Sequence, residues 1–380
     1  MMKKYVALGL IIGFLYVFPA QATNIGADYT AFKNKLAKDY GFSYNLDYSI
    51  MPQRTSPHGE KWAWQSLFAP SITWTTFNNE YGTGTLNASY YSVYYNNHNA
   101  NDIQNNAGLA TPINDYGADE QEFADLYYTY QLPHHYNWLT IGAGQYSIYN
   151  FDGTDYNSNQ QVNFINYALS QNASATYSDA GLGAYVQLTP GNWQIVAGAL
   201  DATNIEAPSI RFNRLNEGHF TTFGQIGYNP NIYCLGQGQY SVLFYNQPYV
   251  KEQPQTTNGW SLNAQQNVGK KTALFARING VTGSEAIVNQ SYVLGGVYNN
   301  PLERNELDQI GLAYAYDKID EDAAGESLAH NVEHIIEAYW AWGIGKWATL
   351  TPDIQFYIHP ALNQKSDYGT ATSLRLTVMF

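Results

Sequence analysis

The chain has 380 residues, of which 16% are aromatic and only 13% charged, with 34 Tyr, 32 Gly, a single Cys and a formal charge of −13. One cysteine excludes an intramolecular disulfide, and with it a small disulfide-stapled secreted domain. The acidic balance excludes non-specific nucleic-acid binding, which needs a basic surface.

The N-terminus reads "MMKK", then the apolar run "YVALGLIIGFLYVFP", then Ala20-Gln21-Ala22. A basic start, a short apolar core and an A-x-A site predict a leader over residues 1–22, cleaved after Ala22. The run is short for an uncleaved anchor helix. Removing it takes away Lys3 and Lys4 and no acid, so the net charge moves from −13 to −15. Beyond it no window approaches the ~18 consecutive apolar residues of a membrane helix.

Residues 23–41 predict a short periplasmic helix. Tyr29, Phe32 and Leu36 share a face with lysines opposite, and Gly41 stops it.

From residue 42 the apolar period becomes two. In "FSYNLDYSIM", Phe42, Tyr44, Leu46, Tyr48 and Ile50 alternate with polar residues. The pattern recurs over 62–74, 86–94, 124–132, 182–188, 240–244, 310–316, 336–342, 350–358 and 372–380. Weaker cases lie near 139–147, 193–200, 220–228, 260–268, 272–280 and 291–298. The total is about sixteen segments near the ~10 residues of a tilted membrane-spanning strand. Pro70 and Pro352, which each remove a ladder donor, read as strand-end or bulge positions. Cys234 reads as a packed thiol on a strand.

Short connections ("PHHYN", "GN", "GKK", "GKW") alternate with long polar ones near 96–121, 150–179, 201–219, 247–258, 281–290 and 318–332. A soluble exported β-sandwich, β-helix or propeller would give the same period, but no fixed-length repeat is present. Short turns at one end, long loops at the other and an even strand count are the plan of an outer-membrane barrel. The nine Trp lie beside turns, as an interfacial girdle requires. The fold expected is therefore all-β: a transmembrane antiparallel β-barrel over 42–380. It places the protein in the outer membrane of a Gram-negative bacterium.

No catalytic or metal-binding pattern is found: no H-x-x-x-H or Cys/His cluster, no G-x-S-x-G, and no phosphate loop followed by a helix. No cofactor is implied. A barrel of this size has a lumen wide enough for water and needs something to narrow it. The loop over 151–180 is too long for an idle connection and carries an apolar patch, Phe164/Tyr167/Ala168, suited to a short helix. It is expected to fold inward as a constriction, offering Asp155, Asn157, Asn159 and Asn163.

Three stretches resemble the carbohydrate-selective porins of the OprB type: "GQYSIYNFDGTDYNSNQQVNFINYAL" at 144–169, "GWSLNAQQNVGKKTALFARINGV" with "LGGVYNNPLERNELDQIGLAYAY" across 259–316, and "EAYWAWGIGKWATLTPDIQFYIHP" at 337–360. The resemblance implies a passive channel for small carbohydrates, as a homotrimer or a monomer in outer-membrane lipid. It also implies that the terminal aromatic Phe380 is read by the barrel-assembly machinery. Sugars want hydroxyl partners beside aromatic rings. Strand parity turns Arg277, Glu337, Tyr339, Gln355 and Arg375 inward, so these are the expected lumenal sugar contacts. Two readings stay beside this one: the same fold passing an organic acid or amino acid, and a non-transporting barrel, either enzyme or structural protein.

Overall fold

The computed structural model describes residues 22–57, 61–205 and 209–380. The expected leader over residues 1–22 lies outside the described residues except for Ala22. The chain enters with helix α1 (Ala22–Tyr40) and then forms sixteen barrel strands. The first eight are β1 (Phe42–Ser56), β2 (Ala63–Asn79), β3 (Gly82–Asn97), β4 (Glu120–Gln131), β5 (Leu139–Tyr146), β6 (Gly181–Leu188), β7 (Trp193–Asp201) and β8 (Phe220–Tyr228). The second eight are β9 (Gly236–Gln247), β10 (Thr257–Val268), β11 (Thr272–Val281), β12 (Val288–Asn299), β13 (Gln309–Ile319), β14 (Val332–Ile344), β15 (Ala348–Ile358) and β16 (Tyr368–Met379). A two-residue ladder, Asn231–Ile232 against Gly236–Gln237, tightens the turn before β9.

Each strand pairs antiparallel with its sequence neighbours, and β1 pairs with β16, from Asp47↔Met379 to Ser56↔Thr370. Closure removes the free edge, so every strand keeps two hydrogen-bonding partners, as hydrocarbon demands. The sixteen strands expected from alternation are the sixteen observed.

The outward face is apolar where a soluble protein would be polar. Phe244, Leu274, Leu294 and Leu312 are all exposed by more than half. A belt of that kind is stable only against lipid. Trp74, Trp138, Trp193, Trp340 and Trp342 ring the short-turn end, and Trp62 and Trp64 stand at the other.

Three expectations change. Pro70 and Pro352 are neither strand ends nor bulges; both sit mid-strand, paired with Leu46 and Leu374 in unbroken register. Their missing N–H groups fall on the opposite ladder. There the β2–β3 pairing skips from Phe68↔Ser92 to Ser71↔Ser89, and β14–β15 from Tyr339↔Asp353 to Trp342↔Leu350. A closed sheet tolerates one skipped rung where its neighbours hold the register. Cys234 is exposed in the turn before β9, with φ +68°, and is not packed on a strand. Helix α1 meets the barrel rim through Tyr29, whose ring lies 5.6 Å from Trp347 and 6.3 Å from Phe380, and through Lys33, whose Nζ donates to Asn45. Phe32, grouped with Tyr29 and Leu36 on one apolar face, is exposed. Gly41 ends the helix at φ +65°, where a Cβ would fall 2.5 Å from the Thr75 carbonyl oxygen.

The barrel interior is packed. Two loops enter it from the long-loop end. One is residues 98–119, carrying helix α2 (Ala100–Ala107), capped at both ends by Asn99 and Gly108. The other is the expected constriction, 147–180, with a single helical turn α3 (Tyr167–Ser170). Ile103, Leu109 and Ile113 from the first loop and Phe164, Ala168 and Leu169 from the second share one buried apolar cluster. Phe275, Val293, Ala315, Ile335 and Tyr357 from the barrel wall belong to the same cluster. The inward turn of 98–119 was not foreseen in the sequence.

Candidate functional site

The constriction loop is held to the wall by groups that parity turned inward. Glu337, on β14, accepts from the backbone N–H of Ile165 at 2.6 Å and of Asn166 at 2.9 Å. Arg375, on β16, donates from Nη1 to the carbonyls of Gln160 and of Asn163, the latter at 2.9 Å. Arg277, on β11, donates from Nη2 to the Asn157 carbonyl at 2.8 Å and from Nε to Asn263 Oδ1 at 2.8 Å. Beside it Gly153, at φ +150°, brings the loop backbone close, and a Cβ there would lie 3.2 Å from Arg277 Nη2. Gln355 donates to the Ile113 carbonyl at 2.9 Å and so ties down the other loop. Tyr339 packs edge-on against Phe164, centroids 4.9 Å apart, and its hydroxyl donates to Gln309.

All five sequence-predicted lumen residues therefore point inward, and all five are covered. Arg277, Glu337 and Gln355 are wholly buried, and Arg375 and Tyr339 nearly so. Their polar groups satisfy loop backbone and amides, which would otherwise be buried without partners. Contact with a passing solute, expected of these residues, is not what this geometry provides. A companion clamp, unforeseen in the sequence, does the same for 98–119. Glu333 accepts from the N–H groups of Ala110, Thr111 and Ala361 at 3.0, 2.8 and 2.9 Å, and Asp317 accepts from the Thr111 hydroxyl at 2.8 Å. Glu333 and Glu337, four apart on one strand face, were the available signal.

Of the four loop residues, two are internal and two face open space. Asn157 is buried, its Oδ1 accepting from the N–H and hydroxyl of Thr154. Asn163 is buried too, its Nδ2 donating to the Asp155 carbonyl at 2.8 Å. Asp155 and Asn159 are exposed. The Asp155 carboxylate accepts from Gln239 at 2.9 Å and from Gln265 at 3.3 Å.

Three polar cavities run past the loop. The first, about 160 Å³, lies at the long-loop mouth among Tyr91, Asp115, Glu120, Glu122, Asp125 and Asp179. The second, about 240 Å³, lies between the loop and β1–β3, beside Asp47, Ser71, Ser89 and Asn159. The third, about 290 Å³, reaches the short-turn end between the loop and Gln194, Gln225 and Gln239. The first and second share Tyr91, Asp115, Tyr116 and Gln171; the first and third share Tyr149 and Asn150. Adjoining through these residues, the three cavities mark out a polar route past the constriction loop. Asp47, Asp115, Glu120, Glu122, Asp125, Asp155 and Asp179 border it, and among the described residues no Lys, Arg or His does.

A family model described as "Carbohydrate-selective porin, OprB family" matches residues 96–380. The chain belongs to that family. As a member of the OprB family it is an outer-membrane channel protein, and the resemblance noted in its strands is confirmed. It is 40% identical to Porin AaxA of Chlamydia pneumoniae over 342 residues, covering 87% of this chain and 77% of the relative. It is 36% identical to Porin AaxA of Chlamydia trachomatis serovar D over 366 residues, covering 90% and 78%. Among solved structures, the high-pH form of Pseudomonas putida OprB superposes with a TM-score of 0.76 over 93% of this chain and 97% of that one, at 14% identity. Salmonella typhi OmpF superposes with a TM-score of 0.61 at 12% identity, covering 89% and 97%. At such identities the structures bear on the fold of the OprB-family barrel and no further.

Proposed function

We propose that the chain is a passive channel through which small polar solutes, sugars foremost, diffuse across the outer membrane toward the periplasm. The observation that carries this reading is the row of adjoining polar cavities past the constriction loop. Its walls join tyrosine rings to amides, hydroxyls and carboxylates, the set that holds a sugar's C–H faces and hydroxyls weakly enough to let it leave. The family's description supports sugars as the substrate class. On this reading Arg277, Glu337, Tyr339, Gln355 and Arg375 position the loop, and Asp155 and Asn159 meet the solute. Phe380 serves barrel assembly: its N–H and carbonyl extend the ladder to Leu46, which leaves the aromatic ring at the rim.

A second reading has an observation of its own. Among the described residues seven carboxylates and no basic side chain border the path, which favours solutes bearing an ammonium or guanidinium group, including basic amino acids, over organic acids.

Purified protein in a planar bilayer tests both. Glucose should lower the ion conductance, and a salt gradient should give a zero-current potential of the cation-preferring sign. If lysine lowers the conductance at far smaller concentrations than glucose, the second reading replaces the first. Absence of conductance, or block by succinate alone, overturns both.

A further inference from the structure

We propose that the long-loop mouth of the path holds a divalent cation of the calcium type, bound by Glu120, Glu122 and Asp179. Glu120 and Glu122 are alternate residues at the start of β4, and Asp179 closes the constriction loop two residues before β6. One carboxylate oxygen from each lies within 4.8 Å of the others. An ion with calcium–oxygen bonds of about 2.3–2.6 Å spans that separation and touches all three.

The acidic cluster is not the whole observation. Glu122 is 8% exposed and borders the mouth cavity, and it makes no hydrogen bond to any described residue. Its acidic neighbours are provided for: Asp125 accepts from Ser89 and from Asn150 at 2.8 Å, and Asp115 accepts from Ser170 and Gln171. A carboxylate so little exposed, with no protein donor and only the cavity to face, is costly to ionise unless something positive sits against it. Among the described residues no Lys, Arg or His borders this cavity to play that part. What Glu122 lacks is a cation.

The donor set selects among cations. All three ligands are carboxylates, which suit hard ions and not the softer metals that prefer His and Cys. They come from two separate segments in an irregular arrangement, which calcium accepts and magnesium, with its strict octahedron, does not. Water completes the shell in a site beside an aqueous lumen. An ion here also couples β4 to the last residues of the constriction loop. It cancels part of the negative potential at the entrance, so calcium weakens the preference of the pore for cations.

The test uses the full-length protein refolded in detergent, with terbium in place of calcium. Tyr91, Tyr116 and Tyr149 border the same cavity and serve as sensitisers. Tyrosine-excited terbium emission should saturate, and calcium chloride should displace it at lower concentration than magnesium chloride or choline chloride. E122Q should weaken terbium binding by at least tenfold, while D47N, a carboxylate elsewhere on the path, should bind as the parent does. Folding of each variant is checked by heat-modifiable gel mobility; if E122Q does not fold, D179N decides in its place. In bilayers, millimolar calcium should move the zero-current potential of the parent toward zero and leave that of E122Q unmoved. Absence of saturable emission, or equal binding by parent and E122Q, overturns the proposal. So does displacement by choline as effective as by calcium, which would make this an organic-cation site. Terbium binding is read without transport, so it stands or fails separately from the channel function.

Discussion

The wall formed by β11–β16 and the wall formed by β1–β3 with β7–β9 obey the same alternation and have opposite fates. On β11–β16 the inward side chains include Arg277, Asp317, Glu333, Glu337 and Arg375, all of them buried. On the other side the inward Asp47, Ser71, Ser89, Gln194 and Gln239 border open cavities. The strongest charges inside the barrel are thus structural, and the groups that meet solute are smaller and mostly neutral or acidic. Pointing inward in a barrel of this size does not mean facing the pore, because inward loops decide which wall stays wet.

Deleting residues 152–178 is the harshest way to break this comparison. It would strip the cover from the β11–β16 wall and make the two walls alike. Single-channel conductance should rise severalfold and solute preference should flatten, both read in planar bilayers. Unchanged conductance would place the narrowest point elsewhere.

Arg375→Ala is next in size. Removing the guanidinium leaves the Gln160 and Asn163 carbonyls without their donor and takes a positive charge from beside buried carboxylates. Breaking a buried charge network from one side costs on the order of 3–5 kcal/mol. The expected result is a lower urea midpoint and early proteolysis within 151–180. Arg375→Lys should recover only part, since the compact, more strongly hydrated ammonium is costlier to bury at this position than the guanidinium. Full stability in Arg375→Ala would mean that the wall does not need its clamp.

The fold was legible because its signal is local. Period two persists through each strand, and in lipid a one-residue slip would bury the wrong face, so Phe42–Ile50 or Leu374–Phe380 identify themselves. The prolines misled because a removed donor is harmless when the neighbouring ladder is intact, which depends on partners far along the chain. The site was legible by face only. Parity turned Glu337 and Arg375 inward correctly, but their partners lie 172 and 215 residues away, across a loop that leaves no periodic trace. Nor does the sequence state depth: Asp155 and Asn157 are two residues apart in one loop, one wet and one buried. The pair Glu120 and Glu122, in "EQEFAD", puts two acids on one strand face, but nothing local in the sequence brings Asp179 beside them.

Asp115 stands between the two regions and gives a smaller, pH-dependent effect. It belongs to the inward loop 98–119, borders two of the cavities, and accepts from Ser170 of the constriction loop. Burial is the main reason its carboxyl is pushed from an ordinary 3.8 up to about 7, with the Ser170 contact opposing. The folded chain then holds this proton more tightly than the unfolded chain does. The contribution is complete below the ordinary value and is lost as pH rises through about 7. Hydrogen exchange over 108–116 and 165–171, corrected for intrinsic rates, should show a few-fold more protection at pH 5.5 than at pH 8. Asp115→Asn should remove the difference. Greater protection at pH 8 would reverse the sign and refute the assignment.

The smallest effect sharpens the comparison from the wet side. Gln194, on β7, points into the third cavity and makes no side-chain hydrogen bond to any described residue. Gln194→Ala therefore removes nothing that holds the fold, and its unfolding free energy should stay within about 0.5 kcal/mol of the parent. It does remove an amide from the wall of the path, so conductance should rise slightly and block by glucose should weaken. Set beside Arg375→Ala, the pair is a double dissociation. One inward residue should change stability and loop cleavage first, and the other should change permeation with stability intact. If Gln194→Ala destabilised the barrel as Arg375→Ala does, the two walls would be mechanically equivalent. The division between a wall that holds the loops and a wall that meets the solute would then have to be given up.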